Sequence, residues 1–336
     1  MGDLITIDIA SLFEGRPDER LATDGRIGRA LMEHGGFVIS NYPDATKIDE
    51  RALKMLSFFE LSEAEKRAVA SKATDPDGKT VYRGYHSSLE PDGWAYNEIY
   101  DIGPETPYGG PAIKGMSFFS EENIWPELEP CTGWKQAMRA YYVHLQGVAM
   151  AVMLSAGRFA GFSDRQLRAR FREGNSTLRL LNYPTKPTDI NITNEIPDMR
   201  QGGDETLPLA TGRHTDAAGV SILWQRQPGL QAQAPDGHWR DVPMVKDCLS
   251  VHLGTVLEIM TDGKVPATPH RVIDHGTARQ SIGFFLEPGL GAQLSPLTTG
   301  AAPSESVTGT YGWHLQERYH HQKGYEHLVP LPTVSV

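Results

Sequence analysis

The spacing of apolar residues changes along this chain, and the changes divide it into a helix-rich first half and a strand-rich second half. Near the start, Leu4-Ile5-Thr6-Ile7-Asp8-Ile9 alternates and predicts a short strand. From about Arg20 to His34 the spacing turns helical through Leu21, Ile27, Leu31 and Met32, and Gly35-Gly36 supplies the stop. Phe37 to Ser40 reads as a strand buried on at least one face. A second helix is expected over roughly Lys47 to Glu60, with Ile48, Met55, Leu56 and Phe59 inward. Ser62-Glu63-Ala64-Glu65 is a capping box that opens another short helix. The longest helical stripe covers Trp134 to Phe159. Trp134, Met138, Tyr141, Leu145, Val148, Val152 and Phe159 recur every three or four residues there, the mark of a face turned to a core. Ser163 caps a following helix, whose Arg165, Arg168, Arg170 and Arg172 read as a solvated face.

After Gly174 short apolar runs alternate with turns: Leu178 to Tyr183, Val220 to Trp224, Leu230 to Gln233, Leu249 to Leu253, Val256 to Met260, His270 to Asp274 and Gln280 to Leu286. Asp236-Gly237 and Asp262-Gly263 are turn dipeptides. Short strands at this spacing predict a sandwich or jelly roll. Val81 to Tyr100 mixes Tyr82, Arg83, Tyr85, His86, Trp94 and Tyr96 with glycine and proline, and is either an irregular surface loop or a pocket wall. The polar residues 184–213 read as a lid or a disordered segment. Residues 288–305 read as a linker or extended cover, followed by a last helix at about Gly312 to Gln322 that holds Trp313, Leu315 and Tyr319. The chain has neither an internal repeat nor a glycine-rich phosphate loop.

Composition narrows the class without naming a chemistry. The 336 residues are 39% apolar and 22% charged, with mean hydropathy −0.38, ordinary for a soluble globular protein with an ample core. A formal net charge of −10 argues against a nucleic-acid binder that relies on a basic surface. Two distant cysteines, Cys131 and Cys248, fit a reducing cytoplasm better than a disulfide framework or a zinc ribbon. No secretory signal, lipid anchor or membrane span is expected, and no obligate protein partner is evident.

The chemistry concentrates in Gly212-Arg213-His214-Thr215-Asp216, Pro269-His270-Arg271-Val272 and Arg279-Gln280-Ser281. On a strand, residues two apart point to the same side, so His214 and Asp216 can present a nitrogen and an oxygen to one ion. His270 begins a later strand and can complete the set. Two imidazoles and one carboxylate suit a divalent iron held on one face with its other positions open. The same donors also describe catalytic zinc, although no HExxH helix is present. Arg279 and Ser281 again share a face, and a guanidinium offers a fork to a carboxylate; the alternative for Arg279 is an ion pair at a strand end.

From Gly212 to Pro288 the chain resembles the isopenicillin N synthase-like branch of the iron(II)- and 2-oxoglutarate-dependent dioxygenases. The resemblance is carried by His214-Thr215-Asp216, Gly229-Leu230-Gln231, Asp236-Gly237-His238-Trp239, Pro269-His270-Arg271-Val272, and Arg279-Gln280-Ser281 followed by Phe284-Phe285. It continues upstream in Gly36-Phe37-Val38, Arg83-Gly84-Tyr85 and Asn182-Tyr183-Pro184. It implies a mainly β fold with flanking helices, built on a double-stranded β-helix (jelly-roll, cupin-like) core. It implies one integrated domain: a mixed N-terminal region over 1–174, a catalytic core over 175–288, and a C-terminal cover and helix over 289–336. It implies His214, Asp216 and His270 as iron(II) ligands, and Arg279, Ser281 and Tyr183 around the distal carboxylate of 2-oxoglutarate, with O2 as the other cosubstrate. The reaction implied is oxidation of a C–H bond of a small molecule, by hydroxylation or by desaturation or cyclisation, with release of succinate and CO2. Tyr82, Arg83 and Trp313 are candidate substrate contacts.

The chain departs from the family pattern at three points. Leu181 stands where many relatives have asparagine. His252-Leu253-Gly254-Thr255 replaces an Asn-x-Gly-Asp turn, which leaves His252 open to a supporting, substrate-contacting or hydrogen-bonded core role. The stretch between Tyr183 and His214 is longer than plant relatives usually have. Three rival readings are an iron oxidase of the same fold that does not use 2-oxoglutarate, a zinc hydrolase, and a non-catalytic binding module.

Overall fold

Along Thr177–Tyr183 and Arg279–Leu286, the two longest strands, side chains alternate between an apolar set and a mixed one, and this alternation organises the molecule. The computed structural model describes residues 4–89, 95–107, 117–190, 192, 207–297, 309–322 and 324–332. Trp94, half of the stretch expected to be a lid (191 and 193–206) and the linker residues 298–305 lie outside the described residues. In chain order the strands are β1 (Thr6–Asp8), β2 (Gly36–Ser40), β3 (Gly84–Ser88), β4 (Asn97–Ile102), β5 (Thr177–Tyr183), β6 (Leu209–His214), β7 (Val220–Gln225), β8 (Leu230–Gln233), β9 (Trp239–Asp241), β10 (Leu249–Leu253), β11 (His270–Ile273) and β12 (Arg279–Leu286). They form an eight-stranded sheet, β1-β2-β10-β7-β12-β5-β4-β3, and a four-stranded sheet, β6-β11-β8-β9. The result is a jelly roll with helices on one side.

Leu178 and Leu180 of β5, Ile222 of β7, Val251 of β10 and Ile282 and Phe284 of β12 enter one large core with the helix Trp134–Phe159. The indole of Trp134 donates to the Met55 carbonyl at 2.9 Å and ties this helix to Ile48–Leu56. The alternate residues point the other way. Tyr183 and Leu223 of the large sheet meet Leu230, Ala232 and Val272 of the small one in a second cluster between the sheets. That interior carries the chemistry.

Most predicted elements are present, and the differences have local causes. The first long helix begins at Pro17, because proline is favoured at the first helical position, and Gly35 ends it with φ 74°. Its buried face runs through Ile27, Ala30 and Leu31, while Leu21 is 71% exposed and Met32 also faces outward. Val81 to Tyr100 is not simply a loop: β3 and β4 pair antiparallel within it, extending the large sheet to its edge. Strand β6 occupies the end of the stretch expected to be a loop. Val256 to Met260, expected as a strand, lies in a helix, Thr255–Met260, because its apolar run is too short for its period to decide. That helix packs end-on against the turn after β6: Thr255 N donates to the Asp216 carbonyl at 2.8 Å and Val256 N to that of Ala218 at 3.2 Å. Gly254 is required there, since a Cβ would sit 2.0 Å from the Ala218 carbonyl oxygen.

Candidate functional site

His214 closes β6 and His270 opens β11, and the two are direct partners in the antiparallel ladder. Cross-strand pairing thus brings together residues far apart in sequence, with ring centroids 4.2 Å apart. Each imidazole is oriented from behind: His214 Nδ1 lies 2.9 Å from the Gly212 carbonyl and His270 Nδ1 3.0 Å from that of Thr268. A carbonyl can only accept, so Nδ1 carries the hydrogen and Nε2 the lone pair. Both Nε2 atoms face Asp216, at 3.8 Å from Oδ1 for His214 and 3.7 Å from Oδ2 for His270. One ligand atom from each of the three lies within 4.8 Å of the others, a spacing that can hold one metal ion. Burial and the neighbouring His270 push His214 down to about 3, which leaves its imidazole neutral and able to ligate at neutral pH. Burial alone would raise Asp216, but His270, His214 and the Ser221 hydroxyl outweigh it and keep the carboxyl below its ordinary value. Ser221 Oγ donates to Asp216 Oδ2 at 2.5 Å.

The turn that carries Asp216 is fixed from several directions. Besides the amides of Thr255 and Val256, Arg318 Nη2 donates to the Thr215 carbonyl at 3.0 Å and the Tyr311 hydroxyl to the Ala217 carbonyl at 3.0 Å. Both side chains belong to the C-terminal helix Tyr311–His320.

Arg279, Ser281 and Tyr183 gather on the same interior. Arg279 pairs across the sheet with Tyr183, its guanidinium 5.1 Å from that ring's centroid. Its Nη1 donates to Ser281 Oγ at 2.9 Å and its Nη2 to Gln225 Oε1 at 3.1 Å. Arg279 is buried, its Nε has no acceptor, and among the described residues no carboxylate pairs with it. Tyr183 and Arg279 also line a cavity of about 200 Å³ with Lys186, Asp274 and His275.

The remaining candidates are placed differently. Arg83 has no exposed surface, and its guanidinium donates to Thr177 Oγ1 at 2.8 Å and to the Asn175 carbonyl at 3.3 Å. Tyr82 packs edge-on against Phe119 and Tyr319 at 5.2 and 5.1 Å. Trp313 is partly buried against the large core. His252 is enclosed and meets His270 edge-on at 4.8 Å, but neither of its nitrogens has a hydrogen-bond partner among the described residues, so of the three roles open to it the hydrogen-bonded core one is not met there. Sequence reasoning passed over Ser221, Gln225, Arg179 and Asp101, and gave Phe285 no role of its own. Period-two counting from Tyr183 and Arg279 would have put Arg179 and Phe285 on the interior face.

A jelly roll with two imidazoles and a carboxylate converging between its sheets, beside a buried unpaired guanidinium, defines a mononuclear metal oxygenase site. Comparison with known proteins agrees. Residues 177–288 match the 2OG-Fe(II) oxygenase superfamily, and residues 5–128 match the N-terminal region described as that of a non-haem dioxygenase in morphine synthesis. Isopenicillin N synthase of Streptomyces clavuligerus is 29% identical over 328 residues, 93% of each chain. The 2-oxoglutarate-dependent dioxygenase citB of Monascus ruber is 29% identical over 260 residues, 75% of this chain and 73% of that one. Among solved structures, a full-length Neurospora crassa protein in complex with alpha-KG and thymine matches at TM-score 0.70 and 22% identity, covering 94% of this chain and 96% of that one. The chain carries a 2OG-Fe(II) oxygenase superfamily domain over residues 177–288. It is an oxidoreductase of the dioxygenase type, with iron(II) and 2-oxoglutarate as its cofactors.

Proposed function

We propose that this enzyme uses 2-oxoglutarate and O2 to oxidise a C–H bond of a small molecule, with His214, Asp216 and His270 as the iron(II) ligands. The observation that carries the reading is the buried Arg279 without a carboxylate partner, on the same interior as the three ligands. A guanidinium enclosed this way is costly unless an anion completes it. Arg279 holds the distal carboxylate of 2-oxoglutarate, with Ser281 and Tyr183 as the supporting hydroxyls. Bound iron with 2-oxoglutarate and O2 supplies the oxidising chemistry, and 2-oxoglutarate leaves as succinate and CO2. The chain's own residues orient these groups. The Gly212 and Thr268 carbonyls fix the imidazole tautomers, Ser221 fixes one oxygen of Asp216, and the two sheets exclude water.

The test is succinate release by the iron-reconstituted protein against a screen of small metabolites, amino acids and aromatic acids. Succinate should rise in step with oxidised product for at least one compound. Oxidised product without succinate would place the enzyme instead with oxidases that dispense with the keto acid.

A further inference from the structure

Two guanidiniums project into the interior from β12 and β5, and their partners differ. Arg279 has no acid beside it. Arg179 is held by Asp101 of β4 through Nε to Oδ1 at 2.9 Å and Nη2 to Oδ2 at 2.6 Å. Arg179 lies on the Tyr183 face of β5, directly opposite Gly283, and the space a side chain at Gly283 would take is filled by the ring of Phe285. The next interior residue on β12 is Phe285, whose ring centroid is 5.6 Å from the Arg179 guanidinium. Phe285 is the cross-strand partner of Ser221, the residue that holds Asp216, which places this pair beside the ligand set. Arg279 and Gly283 are four residues apart on one strand, roughly 13 Å. The Arg179 side chain keeps 23% exposure, and Leu181 and Phe285 stay partly exposed while Ser281, Gly283 and Arg279 are buried. Nη1 of Arg179 has no acceptor among the described residues.

We propose that Arg179, neutralised by Asp101, and the ring of Phe285 form the substrate station of this site, selecting a flat, uncharged ring compound with a ring carbonyl, such as a lactam or imide. Charge decides between ligand classes. Asp101 already cancels Arg179, and the other nearby charges, Arg83 and Glu287, are of opposite sign. A carboxylate entering here would lose its hydration without meeting net positive charge. A carbonyl loses less and accepts from Nη1. Phe285 and Leu181 offer a flat apolar surface on which a ring can lie. Arg279 presents the opposite case, a lone cation suited to an anion. The sheet thus offers one station for the keto acid and another for a neutral substrate.

This inference rests on 2-oxoglutarate binding at Arg279, and the experiment separates the two. The protein is loaded with Mn(II), which does not turn over, and with 2-oxoglutarate. It is then titrated by calorimetry with 2-pyridone, benzoate and indole. 2-Pyridone should bind at least about tenfold more tightly than the other two. Arg179→Leu should remove that advantage. Asp101→Asn should leave the guanidinium charged and reverse the order, with benzoate gaining about tenfold. The 2-oxoglutarate affinity of each variant should stay within about twofold of the unaltered protein. Benzoate binding as tightly as 2-pyridone in the unaltered protein, or none of the three binding while 2-oxoglutarate does, overturns the inference. Absence of 2-oxoglutarate binding would instead remove the cosubstrate reading and this one with it. Should Asp101→Asn fail to fold, Arg179→Leu decides alone.

Discussion

Arg279 shows how much of the proposed reaction rests on single side chains. Replacing it with alanine removes a charged fork from an enclosed site, a loss of about 2–4 kcal/mol where a hydrogen-bonded charge pair is broken. The 2-oxoglutarate concentration for half-maximal succinate release should therefore rise by roughly thirtyfold to a thousandfold. Arg279→Lys should recover only part of this, because an ammonium cannot reproduce the two-pronged geometry. An unchanged requirement in Arg279→Ala would sink the assignment. Ser221 tests the ligand set in a different way. Its hydroxyl fixes one Asp216 oxygen, and loss of such a supporting contact typically weakens metal affinity about tenfold to a hundredfold. Competition with a chelator should show that weakening in Ser221→Ala, with 2-oxoglutarate affinity little altered. His214→Ala and Asp216→Ala should abolish iron-dependent turnover while circular dichroism stays native-like.

Among the elements, the C-terminal helix Tyr311–His320 has a task its sequence does not advertise. Arg318 and Tyr311 bond to the carbonyls on either side of Asp216, and the Tyr311 hydroxyl also lies 2.7 Å from Glu287 Oε1. Tyr311→Phe removes a hydroxyl that has one hydrogen to give, so either the Ala217 carbonyl or Glu287 loses its donor, which should cost about 1–3 kcal/mol of stability. Combined with Arg318→Ala, it should also weaken iron binding more than either change alone, since both hold the same turn. Iron affinity equal to wild type in the double variant would rule the clamp out. The sequence carried other features more openly. The core stripe of Trp134–Phe159, the Ser62 and Ser163 caps and most strands could be read because burial imposes a period and capping imposes residue types. The grouping of His214, Asp216 and His270 could be read because period-two spacing fixes facing. Arg83 could not be placed, because an arginine looks the same in sequence whether it meets a substrate or disappears against Thr177. The helix at Thr255–Met260 could not be told from a strand, and Arg318 gave no sign of its carbonyl partner, because both depend on what packs against them.

For the whole molecule, buried titrating groups set opposing responses to pH. Burial first, then Arg179, pushes His86 down to about 4, and burial with Arg318 does the same to His314. In the unfolded chain a histidine titrates near 6.5. Below that pH the unfolded state takes up protons that the native state refuses, so stability falls with acid toward about pH 4. Glu287 acts in reverse: burial lifts it to about 7 against the hydrogen bonds of Tyr311 and Thr177. Between its unfolded value near 4.5 and about 7, the native state holds a proton that the unfolded chain has released, so this group lowers stability as pH rises. Two histidines outweigh one carboxyl below pH 6.5, and the carboxyl alone acts just above it. The urea midpoint should therefore peak near neutrality and fall clearly by pH 5. His86→Gln should shallow the acid limb, whereas Glu287→Gln should raise the midpoint at pH 8 relative to its value at pH 5. If Glu287→Gln leaves that difference unchanged, Glu287 is already ionised in the native protein at pH 5. Its charge then cancels that of Arg83 already at that pH, and the near-neutral surroundings that favour an uncharged substrate at Arg179 extend below neutrality.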